Sequence, residues 1–274
     1  MVVGPLSATS EKPKSLGGGL ESKKMPGHFL LARLGKRVLR PGGRELTGWL
    51  VDTVGLDRSD RVVEFGPGLG ATARILLACE PASYTGVERD ETAANVTRDY
   101  LVKDSQGCVV ASAESTGLPQ GESTVVIGEA MLTMQREQRK REIVAEAWRL
   151  LAPGGRYAIH ELAFVPDDVD PAVEDEVAGE LSKTIHVGAR PLTAAAWRQM
   201  LVEQGFTVRD ETIVPMALLE PRRLIEDEGF RVLRIAANLL RDRDARKRVM
   251  GMRRVFRRHS DHLVAIGMVA IKPE

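Results

Sequence analysis

An α/β fold, with a mostly parallel sheet covered by helices on both faces, is predicted for this chain of 274 residues. Three observations carry that prediction. Apolar runs alternate with helical patterns from Arg61 to Glu161, the runs are apolar throughout, and the first ends in a glycine loop that opens a helix. Strands apolar on both sides need cover on both faces, which crossover helices supply. Right-handed crossovers bring the C-terminal ends of the parallel strands to one edge, where ligands bind.

The elements are read in chain order. Residues 1–24 are rich in Gly, Ser and Lys and lack the basic, apolar and cleavage regions of a signal peptide, so they read as a disordered tail. Residues 25–274 read as one domain. His28 to Leu39 has helical apolar spacing and is stopped by Arg40-Pro41-Gly42-Gly43. Arg44 to Val54 is a second helix, with Gly55 suited to a left-handed cap. Arg61–Phe65, Ser83–Glu88, Cys108–Ala111, Ser123–Gly128 and Arg156–Glu161 are strands, with helices at Ala71–Ala78, Glu91–Tyr100 and Gln138–Leu151. A helix from Thr193 to Gln204, a strand from Phe206 to Val214 and a last strand from His262 to Ile271 complete the expected seven strands. Three helical cap segments, at about 25–43, 162–192 and 216–260, lie outside this alternation and are expected to emerge near the ligand edge as lids.

The composition, 43% hydrophobic and 28% charged, is that of an ordinary globular protein. A net charge of +1 gives no global pull toward nucleic acid, and no apolar run is long enough to span a bilayer. Two cysteines, Cys79 and Cys108, sit on separate elements and suit a reducing cytoplasm. Charge is unevenly spread: residues 167–180 carry seven acids and no base, whereas residues 241–258 carry nine bases against two acids. These segments could pair within the chain or across a homodimer, and the basic one could meet an anionic membrane or RNA.

The run Val62-Val63-Glu64-Phe65-Gly66-Pro67-Gly68-Leu69-Gly70 turns a buried strand sharply into a helix, and its glycines let backbone approach a ligand closely. Dinucleotide sites read G-x-G-x-x-G and hold a pyrophosphate on the helix N-terminus. Here the spacing is E-x-G-x-G-x-G, with Glu64 at the strand's end, which suits a cationic ligand better than a phosphate. The second strand ends in Gly86-Val87-Glu88-Arg89-Asp90, and Glu88 follows Gly68 by one βαβ step. A carboxylate there can accept both hydrogen bonds of a ribose diol.

These segments, with Arg149–Ile159 (RLLAPGGRYAI) and Trp197–Phe206 (WRQMLVEQGF), resemble the class I S-adenosylmethionine-dependent methyltransferases, in particular the small-molecule group that includes ubiquinone/menaquinone C-methyltransferases. The resemblance implies a Rossmann-like three-layer sandwich whose last strand is antiparallel. It implies S-adenosyl-L-methionine as cofactor and S-adenosyl-L-homocysteine as product. By position, Glu64, Gly66, Pro67, Gly68, Gly70 and Gly128 would wrap the methionine part, Glu88 would hold the ribose, and Arg89, Ala113 and Glu114 would border the adenine. Members commonly carry an aspartate near Ser112, where this chain offers only a hydroxyl.

Methyl transfer needs alignment above all, and a general base only when the acceptor carries a proton. Glu129, His160 and His186 are the catalytic candidates by their place after the fourth and fifth strands or in a lid. His28, Met131 and Arg190 are candidate substrate contacts. No metal is expected, since Glu129 stands alone where a catechol-type enzyme would cluster carboxylates. The rival readings are a nucleic-acid methyltransferase and a relative that binds the cofactor without transfer. The first lacks N-P-P-[YF] after the fourth strand and is poor in aromatic residues for stacking, at 4%; the second is opposed by the complete glycine loop.

Overall fold

The computed structural model describes residues 21–274. The tail expected over 1–24 therefore lies mostly outside the described residues. Residues 21–24 are tied to the domain: the Ser22 hydroxyl donates to Asp242 at 2.6 Å, and Arg248 donates to the Ser22 carbonyl at 2.7 Å. Ordered contacts thus begin before Met25.

Ten helices and eight strands follow among the described residues. They are α1 (Gly27–Leu34), α2 (Gly43–Val54), β1 (Arg61–Phe65), α3 (Ala71–Ala78), β2 (Ser83–Glu88), α4 (Glu91–Arg98), β3 (Gln106–Val110), β4 (Ser123–Glu129), α5 (Glu137–Leu150), β5 (Leu151–Phe164), α6 (Pro171–Ile185), β6 (Leu192–Thr193), α7 (Ala194–Glu203), β7 (Thr207–Pro215), α8 (Pro221–Glu228), α9 (Arg231–Arg241), α10 (Arg243–Arg258) and β8 (Leu263–Ile271).

The sheet order is β3-β2-β1-β4-β5-β8-β7, with β6 attached to β5. Strands β1 to β5 pair in parallel, and β8 runs antiparallel between β5 and β7. The sheet has eight strands, one more than expected, because Leu192–Thr193 adds a short parallel ladder to Ala163–Phe164. Strand alternation splits the core. Val63, Phe65 and Val126 face Ile143, Ala147 and Trp197 of α5 and α7. Val62, Val125 and Ala158 face Leu50, Val51 and Leu76 of α2 and α3. Each Val, Leu, Ile or Phe side chain so buried contributes about 1.5–3 kcal/mol.

The helix expected over His28–Leu39 stops at Leu34. Gly35 adopts φ 106° and turns its N–H back on Leu31 and Ala32, a left-handed cap inside the apolar pattern. Strand β5 runs on to Phe164 because β8 pairs with it continuously from Arg156 to Phe164. The long basic insertion breaks into α8, α9 and α10. Helices α1, α6 and α10 close on one another through Leu31, Leu181, Met252 and Phe256, making a separate apolar cap over the C-terminal edge.

Candidate functional site

A cavity of about 380 Å³ lies at the tips of β1, β2 and β4, under α1. Its floor is the turn from β1 into α3. Gly66 and Gly68 both have positive φ, 67° and 55°, and both line the cavity. A Cβ on Gly68 would meet no protein atom closer than the Gly66 carbonyl at 3.8 Å, so that side of the backbone faces ligand space. Gly70 instead makes room within the protein, since a Cβ there would strike the Tyr100 ring at 2.7 Å. Pro67 packs beside Gly86, and Gly128 lies buried beside Phe65 and Met131, so both shape the loop from behind.

Glu88 ends β2 at the cavity wall. Its Oε2 accepts from the Gly68 N–H at 3.1 Å and its Oε1 from the Asp90 N–H at 3.1 Å. The carboxylate is thereby fixed, has no ion-pair partner among the described residues, and keeps accepting capacity for a ligand. Arg89 and Ala113 line the same cavity. Glu114 lines it too, but is tied up in an ion pair with Arg139. Ala111, Ala113 and Ile143 add an apolar slot.

Glu64 does not reach this cavity. Alternation along β1 turns it with Val62 toward α2 and α3, where the Tyr84 hydroxyl donates to it at 2.6 Å. Burial, with the neighbouring Glu129 charge, outweighs that bond and pushes its carboxyl up to about 8. A group so raised stabilises the fold fully below its ordinary value of 4.5, and that contribution fades as pH rises toward 8. Glu64→Gln keeps an acceptor for Tyr84 and never ionises. Its Tm is expected to gain on that of the wild type between about pH 5 and about pH 8. A constant offset across that range overturns the assignment.

Glu129 and His160 are brought together, though as a structural network. Glu129 accepts from Thr47 at 2.6 Å and from Thr72, meets His160 Nδ1 at 2.7 Å, and pairs with Arg40 Nε at 3.3 Å. Burial opposes its charge, but the Arg40 guanidinium and these hydrogen bonds outweigh burial and hold the carboxyl at about 2. His160 is fully buried, and its Nε2 faces the Pro41 carbonyl. Both ring nitrogens are engaged within the protein, one by Glu129 and the other by the Pro41 carbonyl. Glu129 lines the first cavity with its carboxylate engaged by Arg40, Thr47, Thr72 and His160, whereas His160 lines neither cavity.

The next residue, Glu161, accepts from the N–H groups of Met131, Leu132 and Thr133 and from the Thr133 hydroxyl. With the Ala130 N–H donating to the His160 carbonyl at 2.7 Å, this holds the turn after β4, where Ala130 sits at φ 52°. A non-glycine residue persists there only when its surroundings determine it, and such strain clusters at functional sites.

A second cavity of about 100 Å³ adjoins the first and shares His28, Leu39, Ala130 and Met134 with it. Leu181, Ile185, Met216, Leu218 and Phe256 from the cap make it largely apolar, and Glu161 and Thr133 are its polar edge. His28 makes no hydrogen bond among the described residues. Burial, and then the Arg89 charge, pull its pKa down to about 4. Met131 lines the first cavity.

His186 and Arg190 line neither cavity. His186 caps α6 in the left-handed region and is exposed; Ile185 and Ala189 take the inward positions beside it. Arg190 is exposed, and its backbone alone is engaged, with Thr133 and Lys140. Sequence reasoning did not single out Asp90, Gln135 or Arg139 as cavity residues, nor Arg40, Thr47 and Thr72 as partners of Glu129. Asp90 alone carried a local signal, as the N-cap of α4. No cluster of His, Cys, Asp or Glu suited to a metal is found among the described residues.

A family model described as "Methyltransferase domain" matches residues 63–159, from β1 through β5. The 27-O-demethylrifamycin SV methyltransferase of Amycolatopsis mediterranei is 23% identical over 150 residues, covering 54% of this chain and 55% of its own. The chain belongs to the class I S-adenosylmethionine-dependent methyltransferases. A Haemophilus influenzae protein described only as uncharacterized is 33% identical to this methyltransferase over 255 residues, which is 89% of this chain and 98% of that one. Among solved structures, phosphoethanolamine N-methyltransferase 2 of Haemonchus contortus in complex with S-adenosyl-L-methionine aligns at a TM-score of 0.69 and 15% identity. It covers 90% of this chain and 57% of that one. The MccD protein aligns at 0.67 and 18% identity, over 85% of this chain and 99% of that one. The fold is the Rossmann-like sandwich, and the cofactor is S-adenosylmethionine. The first cavity offers side-chain-free backbone at Gly66 and Gly68, a fixed carboxylate at Glu88 without an ion-pair partner among the described residues, and an apolar slot, a lining that fits this cofactor.

Proposed function

We propose that this methyltransferase methylates a small, largely apolar molecule held in the second cavity. The observation that carries this reading is the apolar cap chamber, which adjoins the cofactor cavity and shares His28, Ala130 and Met134 with it. The resemblance to the ubiquinone/menaquinone group supports it. Two free cysteines suit the cytoplasm.

In this reading Gly66, Gly68 and their backing residues Pro67, Gly70 and Gly128 seat the methionine part. Glu88 accepts the ribose hydroxyls, and Arg89, Ala113 and Glu114 border the adenine. When bound, the cofactor supplies an electrophilic methyl on a sulfonium. The chain aligns the acceptor and excludes water, and alignment of this kind is worth about 7–11 kcal/mol of barrier. His28 stands at the junction with a neutral ring at neutral pH, so it is the side chain placed to receive an acceptor's proton.

The test is turnover of a panel of small phenols, quinols and hydrophobic amines, read as S-adenosylhomocysteine release. Met216→Trp, which crowds the second cavity, is expected to abolish that turnover and leave cofactor Kd within about twofold, since Met216 lines the second cavity and not the first. Turnover of RNA or DNA but of no small molecule, or a Met216→Trp enzyme as active as the wild type, overturns the reading.

A further inference from the structure

Helix α9 docks one side on the domain and leaves the other without a partner. On the inner side Ile235 is buried and Asn238 Nδ2 donates to the Leu34 carbonyl at 3.0 Å, which ties α9 to the end of α1. On the outer side Phe230 is 95% exposed, Leu233 69% and Leu240 73%. Residues three and seven apart share a helix face, so these three form one stripe. Arg234 and Arg241 flank it and are exposed. The sequence of α9 contains arginines at 231, 234 and 241 and no acid, and none of the three pairs with an acid among the described residues. Arg37 lies beside Arg231, adding to the same charge.

A soluble surface rarely exposes three large hydrophobic side chains in a row among unpaired cations. We propose that this face of α9 is an interfacial docking surface for an anionic lipid bilayer, with Phe230, Leu233 and Leu240 entering the headgroup boundary and the arginines meeting lipid phosphates. The residue types are those of interfacial helices: aliphatic and aromatic side chains in the apolar layer, arginines beside it. Other occupants fit less well. A second copy across a two-fold axis would set α9 arginines against α9 arginines. Residues 1–20 carry Lys12 and Lys14 against Glu11, so they bring the same sign of charge. RNA would need stacking platforms, and Phe230 is the one aromatic ring on this stripe.

The placement bears on the site. The helix that α9 grips, α1, supplies His28 and Phe29 to the cofactor cavity, so docking would set the roof of the site against the lipid surface. Vesicle binding through α9 does not depend on which substrate is methylated, and measuring it needs no turnover.

The 274-residue chain is floated with vesicles of phosphatidylcholine alone and of phosphatidylcholine with phosphatidylglycerol. The wild type is expected to partition onto the anionic vesicles, less at high salt, and weakly onto the neutral ones. A Leu233→Glu/Leu240→Glu variant is expected to lose at least about tenfold in partitioning, from the loss of two apolar side chains and the gain of two repelled charges. An Arg234→Gln/Arg241→Gln variant should lose anionic selectivity. Cofactor affinity and Tm, measured alongside, are expected to stay at wild-type values in both. Four results overturn the proposal: no flotation with anionic vesicles, flotation unchanged in both variants, a vesicle-free dimer crosslinked through position 230, or RNA binding that the Leu variant abolishes while vesicles are ignored.

Discussion

Glu129→Ala is expected to destabilise the protein by about 3–5 kcal/mol, the cost of removing one partner from a buried charge network. The loss falls on several elements at once. Thr47 of α2, Thr72 of α3, His160 of β5 and Arg40 of the loop after α1 all turn toward this one carboxylate. Without it Arg40 and His160, each less than a tenth exposed, are left as buried polar groups with fewer acceptors. Glu129→Gln keeps an acceptor but no charge, so an intermediate loss is expected. Urea denaturation at neutral pH measures both, and a loss below about 1 kcal/mol in the alanine variant would show that surface-like screening, not burial, governs the pair. The sign of the pH dependence follows from the depressed carboxyl. Its contribution is present above the ordinary value of 4.5 and is lost as pH falls toward 2. The same variant should weaken cofactor binding, because the Pro41 carbonyl and the turn at Ala130 both rest on His160.

Gly68→Val is expected to weaken S-adenosylmethionine binding by about a hundredfold or more while the fold persists. Overpacking a filled site costs about 1–3 kcal/mol or more, and each 1.4 kcal/mol is tenfold in affinity. The chain itself has room for the side chain, since no protein atom lies within 3.8 Å of the added Cβ. The backbone at φ 55° adds strain of about 1–2 kcal/mol, which a domain of this size absorbs. Isothermal titration for affinity and circular dichroism for the fold separate the two effects. Unchanged affinity in a folded variant would move the cofactor away from this loop. Gly70 differs, because its Cβ would collide with Tyr100. A valine there attacks packing first and binding only as a consequence.

The sheet from β1 to β5 was legible from local signals. Arg61–Phe65, Ala71–Ala78 and Ser83–Glu88 have the bounds their apolar runs and glycine stops announce. Glu88 was legible for the same reason: a strand end one βαβ step after the glycine loop has one place to be. The cap was only half legible. Its helical content could be read, but the stop of α1 at Gly35 and the breaks that make α8, α9 and α10 depend on where those segments dock.

Residue types and spacing alone determined the fold class and the position of the glycine loop, because these follow from chain periodicity and backbone freedom over a few consecutive residues, whereas the cofactor came from the family resemblance. Side-chain roles were decided by tertiary structure. Glu64 and Glu129 are both acids at strand ends, yet one is raised to about 8 and the other held at about 2. The difference is the company each keeps: a tyrosine hydroxyl in one case; an arginine, a histidine and two threonines from four distant segments in the other. Burial raises both carboxyls, and only the partners of Glu129 are strong enough to reverse that direction. Those partners are neighbours only once the chain has folded.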